Sequence, residues 1–318
     1  MKNLDTQNIK KILKTKNIKF QSISFLAGDA SDRKYYEIDI DCHKYVLMHD
    51  CDHKSLKNFI KISNSISNFV STPQIIFNIE DNSVLILENF GKDKFNNILD
   101  KKNRNKLYLL ATDALIYIHK QKIKFNIGFY DESKFTYESN LFFDWFVNQD
   151  SLSKENLKNE FNFQFRDFLK ELQSIPEVFV HRDYHVDNLF FLKNKNEHFR
   201  CGWIDYQDAV IGPCVYDLVS LTQDARLDVD KRIEKNVINH YLRHFKEIDV
   251  NKFFLCYKIV AIQRHLKVIG IFKRLAIRDK KNNYLKHIPR VINMLRNNLN
   301  DRIFKNISDI ICPLLKND

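Results

Sequence analysis

Two nearby stretches decide the fold: VFVHRDYHVDNLFFL at residues 178–192 and CGWIDYQDAVIGPCVYDL at residues 201–218. In both, polar residues follow a short apolar run, as they do on loops that are held by buried strands. The first stretch contains H-x-D-x-x-x-x-N, and the second has an Asp at the end of its apolar run, which is the order found at phosphoryl-transfer sites. The polar residues concerned are His181, Asp183, Asn188 and Asp205. The pattern predicts a catalytic loop followed by a metal-binding loop.

The residue types in these loops suit transfer of a phosphoryl group to a hydroxyl. A carboxylate near the acceptor can take its proton, and oxygen ligands can hold Mg²⁺ on the nucleotide phosphates. We assign Asp183 to the first task, and Asn188 and Asp205 to the second. The alternative is an ordinary loop in which Asp183 caps a turn. Because Asp205 follows in the right order, the second stretch favours the catalytic interpretation.

Three polar residues of these stretches are given supporting roles: His181, His185 and Asp217. Asp217 follows the Gly-Pro turn at residues 212–213, near the predicted start of a helix. Its side chain can accept hydrogen bonds from backbone N–H groups there. We expect Asp217 to cap this helix or to brace the catalytic loop. His181 is expected to orient the loop, and His185 to contact the catalytic residues without touching the substrate.

The segment HRDYHVDN at residues 181–188 resembles the Brenner motif of the aminoglycoside phosphotransferase and choline kinase superfamily. Asp205 is followed by Tyr-Gln rather than Phe-Gly, and the sequence contains neither a G-x-G-x-x-G loop nor an A-P-E segment, which disfavours a protein kinase. The resemblance implies a bilobal, protein-kinase-like α+β fold with a small antiparallel β-sheet N-lobe and a larger, mostly helical C-lobe. It also implies a small-molecule kinase that uses ATP and Mg²⁺.

Further blocks resemble the anomeric N-acetylmuramate/N-acetylglucosamine kinases of bacterial cell-wall recycling. They run in order from residue 28 to residue 289, and the most specific are IDYQDAV at 204–210 and QRHLKVIGIF at 263–272. This resemblance implies ATP-dependent phosphorylation of the anomeric hydroxyl of an amino sugar to the sugar 1-phosphate. Two alternatives stay open: an aminoglycoside- or choline-type kinase of another small hydroxyl compound, and a kinase-like binding module with little activity. The intact trio Asp183, Asn188 and Asp205 argues against the binding module.

The nucleotide site is expected in an N-terminal lobe, residues 1–90, and the catalytic and substrate site in residues 91–318. Kinases of the wider superfamily usually carry a third-strand Lys that contacts nucleotide phosphates, and here the corresponding residue is Met48. Ser31 and Arg33 are candidates for covering the phosphates, because Ser allows close approach and Arg binds paired oxygens. An ordinary hairpin turn is the alternative. Adenine is expected against the backbone from Glu88 to Phe90, with apolar contact from Met48.

The sugar is expected to contact polar residues within the family-like blocks, because sugars are held by mixed apolar and hydrogen-bonding surfaces. These candidates are Asp208, Arg264, Glu138 and Lys267. Asp208 and Arg264 are the preferred pair. Glu138 could equally be a residue that packs between helices.

Composition restricts the class of protein further. The 318 residues are 44% hydrophobic, which is ample for a core, and they include no apolar run of about 18 residues that would predict a membrane span. The N-terminal segment lacks the apolar stretch of a secretory signal, so a cytoplasmic enzyme is expected. The net charge of +11 comes from dispersed basic residues, which predicts no nucleic-acid partner. No obligate protein partner is inferred.

Periodicity predicts the order of helices and strands. In the N-terminal part, helices are expected near 5–15 and 55–69, and strands near 20–26, 34–40, 44–49, 74–78 and 84–88. A hinge is expected at 91–95, and helical spacing begins at residue 107. Later helices are expected near 215–226, 232–245, 253–273 and 285–299.

Overall fold

The computed structural model describes residues 6–28, 33–79, 81, 83–121, 125–148 and 150–315. The chain folds into two compact units. The first comprises Met1–Leu99 and Val186–Asp208, and the second comprises Asp100–His185 and Ala209–Asp318. The first unit therefore includes a segment from the middle of the chain. The functional lobe boundary between residues 90 and 91 stays a prediction.

The first unit is built on a five-stranded antiparallel sheet with the order β1-β2-β3-β5-β4. The strands are β1 (Ser22–Gly28), β2 (Lys34–Ile40), β3 (His43–His49), β4 (Ile75–Ile79) and β5 (Val84–Glu88). In β2, Tyr36, Ile38 and Ile40 alternate with more exposed residues, so they share one face. This face packs with Ile9 and Leu13 of helix α1 (Thr6–Thr15) in a single hydrophobic cluster. Removal of this apolar surface from water holds the helix against the sheet.

Two further parts of the first unit carry candidate site residues or their partners. Helix α2 (His53–Ile66) follows β3, and its N-terminus is capped by Asp52, which accepts hydrogen bonds from the Lys54 and Ser55 amides. After the short helix α3 (Phe95–Ile98), the segment from the middle of the chain contributes an antiparallel hairpin of β7 (Leu189–Phe191) and β8 (Cys201–Trp203).

The second unit is mostly helical. Its helices are α4 (Arg104–His119), α5 (Glu132–Trp145), α6 (Ser151–Glu171), α7 (Tyr216–Thr222), α8 (Lys231–His244), α9 (Val250–Ile277), α10 (Ile288–Leu299) and α11 (Lys305–Leu314). A two-stranded antiparallel sheet joins β6 (Glu177–Val180) to β9 (Val210–Pro213). Gly212 and Pro213 therefore end a strand rather than form the predicted turn, which lies at residues 214–215. Helix α9 is buried over most of its length. It approaches α5 so closely that a Cβ atom on Gly270 would lie 2.3 Å from the Leu141 carbonyl carbon, so this position needs glycine.

The predicted α+β class is confirmed, and so are most of the predicted elements. Strands 34–40 and 84–88 match residue for residue, and the first helix is confirmed from Thr6 onward, since residue 5 lies outside the described residues. Helix α7 ends at Thr222, four residues before the predicted end, because Gln223 leaves the helical backbone region at φ −118° and ψ 56°. Helices α5 and α6 have no counterpart in the prediction. None of the helices in the described ranges is long and apolar enough to cross a membrane.

Candidate active site

The β7–β8 hairpin brings the two predicted metal ligands to the same end of one motif. Asn188 directly precedes β7, and Asp205 follows β8 by two residues. Leu189 pairs with Trp203, and the Ile204 amide donates to the Asn188 carbonyl oxygen at 3.1 Å. Asp205 has a left-handed backbone with φ 64°, which is uncommon for a residue other than glycine and recurs at functional sites.

The side chains of Asn188 and Asp205 suit Mg²⁺, because this ion prefers amide and carboxylate oxygens. Within the described residues, no group of three or more His, Cys, Asp and Glu side chains is placed to hold a metal. Mg²⁺ on a nucleotide takes its other ligands from phosphates and water, so the oxygen donors of Asn188 and Asp205 fit the implied ion.

Asp205 is paired with a buried guanidinium. Arg33 Nη1 lies 3.3 Å from Asp205 Oδ1, and Gln207 Nε2 donates to the same oxygen at 3.0 Å. Arg33 Nε also donates to Asp50 Oδ2 at 3.0 Å, and its Nη2 donates to Ser55 Oγ at 2.7 Å. Arg33 Nη1 also donates to Tyr35 Oη at 3.3 Å. Arg33, for which the sequence predicts phosphate contact, thus contacts two carboxylates and two hydroxyls within its own unit.

The other nucleotide candidates lie along the sheet. Met48 is fully buried in β3, and its register partners are Tyr35 and Leu85. Glu88 ends β5, where its amide donates to the Gln74 carbonyl oxygen at 2.8 Å. Because this N–H group already donates to Gln74, it can donate to adenine only if the bond to Gln74 is broken.

The remaining candidates of the first unit are Phe90, Asp208 and Ser31. The Phe90 ring lies 5.8 Å from the Phe190 ring, centroid to centroid, and Asp208 is exposed. Ser31 lies outside the described residues. Nucleotide contact by Ser31, Arg33 and Phe90, and sugar contact by Asp208, stay predictions.

In the second unit, Asp217 holds the backbone of the loop that the sequence predicts to be catalytic. It lies in the first turn of α7, and its carboxylate accepts hydrogen bonds from the His181 amide at 2.6 Å and the Arg182 amide at 3.0 Å. Burial raises the pKa of Asp217 to about 7, although these two N–H donors act to lower it. His181 Nδ1 in turn accepts from the Asp183 amide at 3.3 Å. The loop leading to Asp183 is thus held by side chains that accept from its amides.

The Asp183 carboxylate lies among positively charged and imidazole groups. Its Oδ1 is 3.2 Å from His185 Nε2 and 3.9 Å from Arg264 Nη2, and Arg226 Nη1 lies 3.2 Å from the same His185 nitrogen. Removal from water would raise the pKa of Asp183, but His185, Arg226 and Arg264 outweigh this effect and hold it well below its usual range. The side chain is 43% exposed, so it is accessible to a ligand. Asp183 is therefore an ionised, accessible hydrogen-bond acceptor.

Three predicted sugar-binding residues are buried in the second unit. Glu138 accepts hydrogen bonds from Arg182 and Tyr130, and its carboxylate lies 2.9 Å from Lys267 Nζ. Arg264 Nη2 donates to Ser220 Oγ at 2.6 Å. Glu138 thus joins Lys267 to Arg182, the residue before Asp183. Sugar contact by Glu138, Lys267 and Arg264 stays a prediction.

Arg182 and Arg226 contact the candidate residues Glu138 and His185, but neither is among the residues predicted from the sequence. Arg182 belongs to the HRD sequence, but its left-handed backbone, with φ 75°, has no signature in the residue pattern. Arg226 follows α7 and contacts His185, a partner 41 residues away in sequence. The composition of these segments contains no signal that pairs these residues.

The chain matches the model of the phosphotransferase enzyme family, APH, over residues 22–250. It is 30% identical over 294 residues to an N-acetylmuramate/N-acetylglucosamine kinase of Neisseria meningitidis serogroup B, an alignment that covers 86% of this chain and 84% of that protein. A protein of the same name from Pseudomonas aeruginosa is 30% identical over 288 residues, with 85% and 81% covered.

Solved structures support the same assignment at the level of the fold. The choline kinase LicA from Streptococcus pneumoniae superposes with a TM-score of 0.66 at 14% identity, covering 91% of this chain and 99% of that one. The GDP complex of wild-type aminoglycoside 2'-phosphotransferase-IIIa gives a TM-score of 0.64 at 14% identity, with 93% and 98% covered. The predicted protein-kinase-like fold is confirmed. The chain belongs to the phosphotransferase enzyme family, and it is a kinase with a hydroxyl group as the phosphoryl acceptor.

Proposed function

We propose that this kinase transfers the γ-phosphoryl group of ATP to the anomeric hydroxyl of N-acetylmuramate, N-acetylglucosamine or both, giving the sugar 1-phosphate. The observation that carries the proposal is the 30% identity, over most of both chains, to two proteins named as kinases of these sugars. The product would serve peptidoglycan recycling in the cytoplasm.

Asp183 is the proposed acceptor of the hydroxyl proton. A carboxylate with a pKa well below its usual range is a weak base, so it contributes more by orienting the hydroxyl than by holding the proton. An anomeric hydroxyl is more acidic than an ordinary alcohol, and a weak base suits such an acceptor. Asp217 supports this role, because its bonds to the His181 and Arg182 amides keep the loop in one geometry.

Asn188 and Asp205 are the proposed ligands of Mg²⁺. When bound, this ion would neutralise charge on the nucleotide phosphates. Replacing Asp205 with Ala removes a hard oxygen ligand, so we expect a higher Mg²⁺ concentration at half-maximal turnover as well as slower turnover. An unchanged Mg²⁺ dependence would show that Asp205 is not a ligand.

The acceptor is tested by incubating the enzyme with Mg²⁺ and ATP and a panel of N-acetylmuramate, N-acetylglucosamine, choline and an aminoglycoside. Phosphorus NMR of the product separates the 1-phosphate from the 6-phosphate. The matched control is the methyl glycoside of each sugar, in which the anomeric hydroxyl is blocked. We expect the 1-phosphate from the free sugars and no product from the glycosides.

Other outcomes would each remove part of the proposal. A 6-phosphate, or turnover of the methyl glycosides, would contradict the anomeric assignment. Turnover of choline or the aminoglycoside alone would contradict the sugar assignment and leave a kinase of another small hydroxyl compound. ATP binding without turnover on any acceptor would favour a binding module.

A further inference from the structure

The first unit contains a buried cation, Arg33, just past the end of the β2–β3 ladder to which Met48 belongs. In the β2–β3 ladder Lys34 pairs with His49, so Arg33 lies opposite Asp50, one step beyond the last pair. Arg33 is 6% exposed. A guanidinium so deeply buried needs fixed partners, because an unpaired charge out of water is strongly unfavourable.

Each nitrogen of the Arg33 guanidinium has a partner. Nε donates to Asp50 Oδ2 at 3.0 Å, Nη2 donates to Ser55 Oγ at 2.7 Å, and Nη1 lies 3.3 Å from Asp205 Oδ1. Asp50 is itself held, since its Oδ1 accepts from the Asp52 amide at 2.9 Å. The end of β3 and the first turn of α2 therefore fix the guanidinium, which presents one nitrogen to Asp205.

The Arg33 guanidinium faces two carboxylates, those of Asp50 and Asp205. A planar guanidinium can contact two carboxylates and a hydroxyl at once, whereas the single ammonium of a lysine cannot span them in the same way.

We propose that Arg33 is a positioning residue that holds the Asp205 carboxylate for the metal, while Asp50 and Ser55 hold Arg33. The proposal rests on the proposed role of Asp205 as a Mg²⁺ ligand. It assigns Arg33 to the carboxylate rather than to the phosphates.

The test measures the affinity for ADP by calorimetry, with and without Mg²⁺, together with the Mg²⁺ concentration at half-maximal turnover. We expect Arg33→Met to weaken binding of ADP in the presence of Mg²⁺ by roughly tenfold or more, the range for loss of a partner of a metal ligand. Binding of ADP without Mg²⁺ should change by less than about twofold. Arg33→Lys, which keeps the charge, should lie between Arg33→Met and wild type.

The matched control is Lys44→Met, which removes a cation from the same sheet. Lys44 is exposed and pairs with Glu37 at 2.6 Å, so both ADP affinities should equal those of the wild type. Arg33→Met could fail to fold, because it leaves two carboxylates without their cation. The double variant Arg33→Met with Asp50→Asn removes one of these charges, and the same Mg²⁺-specific loss is expected in it.

Three outcomes would overturn the proposal. An equal loss of ADP affinity with and without Mg²⁺ would mean that Arg33 binds the phosphates directly. Tighter Mg²⁺ binding in Arg33→Met would mean that Arg33 competes with the ion for Asp205. An unchanged Mg²⁺ dependence in the double variant would mean that Arg33 does not position the metal ligand. ADP binding involves no acceptor, so failure here leaves the sugar assignment intact. Failure of the Asp205→Ala test would instead remove the premise.

Discussion

Replacing Glu138 should lower the free energy of unfolding more than replacing Lys267, although the two residues belong to one ion cluster. The Glu138 carboxylate accepts hydrogen bonds from Arg182 and Tyr130 and lies 2.9 Å from Lys267 Nζ. The side chains of Glu138, Lys267 and Arg182 are 8%, 11% and 19% exposed. Two cations therefore share one carboxylate, and the three side chains carry one net positive charge.

The charge count sets the expected magnitudes. Glu138→Gln leaves Arg182 and Lys267 facing a neutral amide, and loss of one partner of a buried pair costs roughly 3–5 kcal/mol. Lys267→Met removes the surplus cation, leaves Arg182 paired with Glu138, and retains an apolar side chain of similar length. It loses the 2.9 Å contact with Glu138 and a 3.2 Å hydrogen bond to Tyr216 Oη. Because Glu138 keeps Arg182 as a partner, roughly 1.5–3 kcal/mol is expected, the range for a hydrogen bond to a charged group.

The assay is urea unfolding of both variants and the wild type, with the free energy of unfolding compared at equal m-values. Glu132→Gln is a matched control on the same helix, because Glu132 forms an exposed ion pair with Arg166 at 3.4 Å. Its free energy of unfolding should stay within about 1 kcal/mol of wild type. A loss of stability in Lys267→Met as large as that in Glu138→Gln would refute the reasoning.

Kinetics of the same variants separate two roles for Lys267. If the cluster holds Arg182 and thus the loop that carries Asp183, Glu138→Gln should lower kcat, while Lys267→Met keeps kcat and the KM for the acceptor near wild type. A raised acceptor KM in Lys267→Met at unchanged stability would instead support the sugar contact that the sequence predicts.

Three further changes test other parts of the molecule. Asp183→Asn should still bind ATP in calorimetry while turnover falls by on the order of 10²-fold or more, and a folded, ATP-binding variant with wild-type turnover would remove the assigned role. Burial lowers the pKa of His265 to about 3, so between this value and the unfolded pKa of about 6.5 the unfolded chain binds a proton that the folded protein does not. The free energy of unfolding therefore decreases by up to about 1.4 kcal/mol per pH unit as the pH falls below about 6.5. His265→Gln should therefore flatten the pH dependence of the unfolding free energy between about pH 6.5 and 4.5, and an unchanged slope would contradict a neutral His265. Gly270→Ala should lower the free energy of unfolding by about 1–3 kcal/mol, because its Cβ would meet the Leu141 carbonyl, and wild-type stability would mean that α5 and α9 separate easily.

Local residue patterns were sufficient for the elements that bury one regular face. The alternation in β2 and the helical spacing in α1 and α2 predict those elements, because one side of each faces a core. Helix α6 escaped prediction because its buried residues Phe161, Phe165 and Leu169 occupy a narrow stripe on a largely polar helix. The motif of Asp183, Asn188 and Asp205 could also be read from the sequence, since the spacing of residues along the chain is local information, and the roles assigned to these residues stay predictions.

The partners of these residues could not be read from local patterns, because they come from distant parts of the chain. Arg33 and Asp205 are 172 residues apart, and Glu138 and Arg182 are 44 apart. Which of them meet depends on strand register and on the close approach of α5 to α9 at Gly270, and neither is encoded in hydrophobic periodicity. Polar residues that look available for a ligand in the sequence are thus engaged with one another once the chain is packed, because a buried charge needs a partner and the nearest one is supplied by another element.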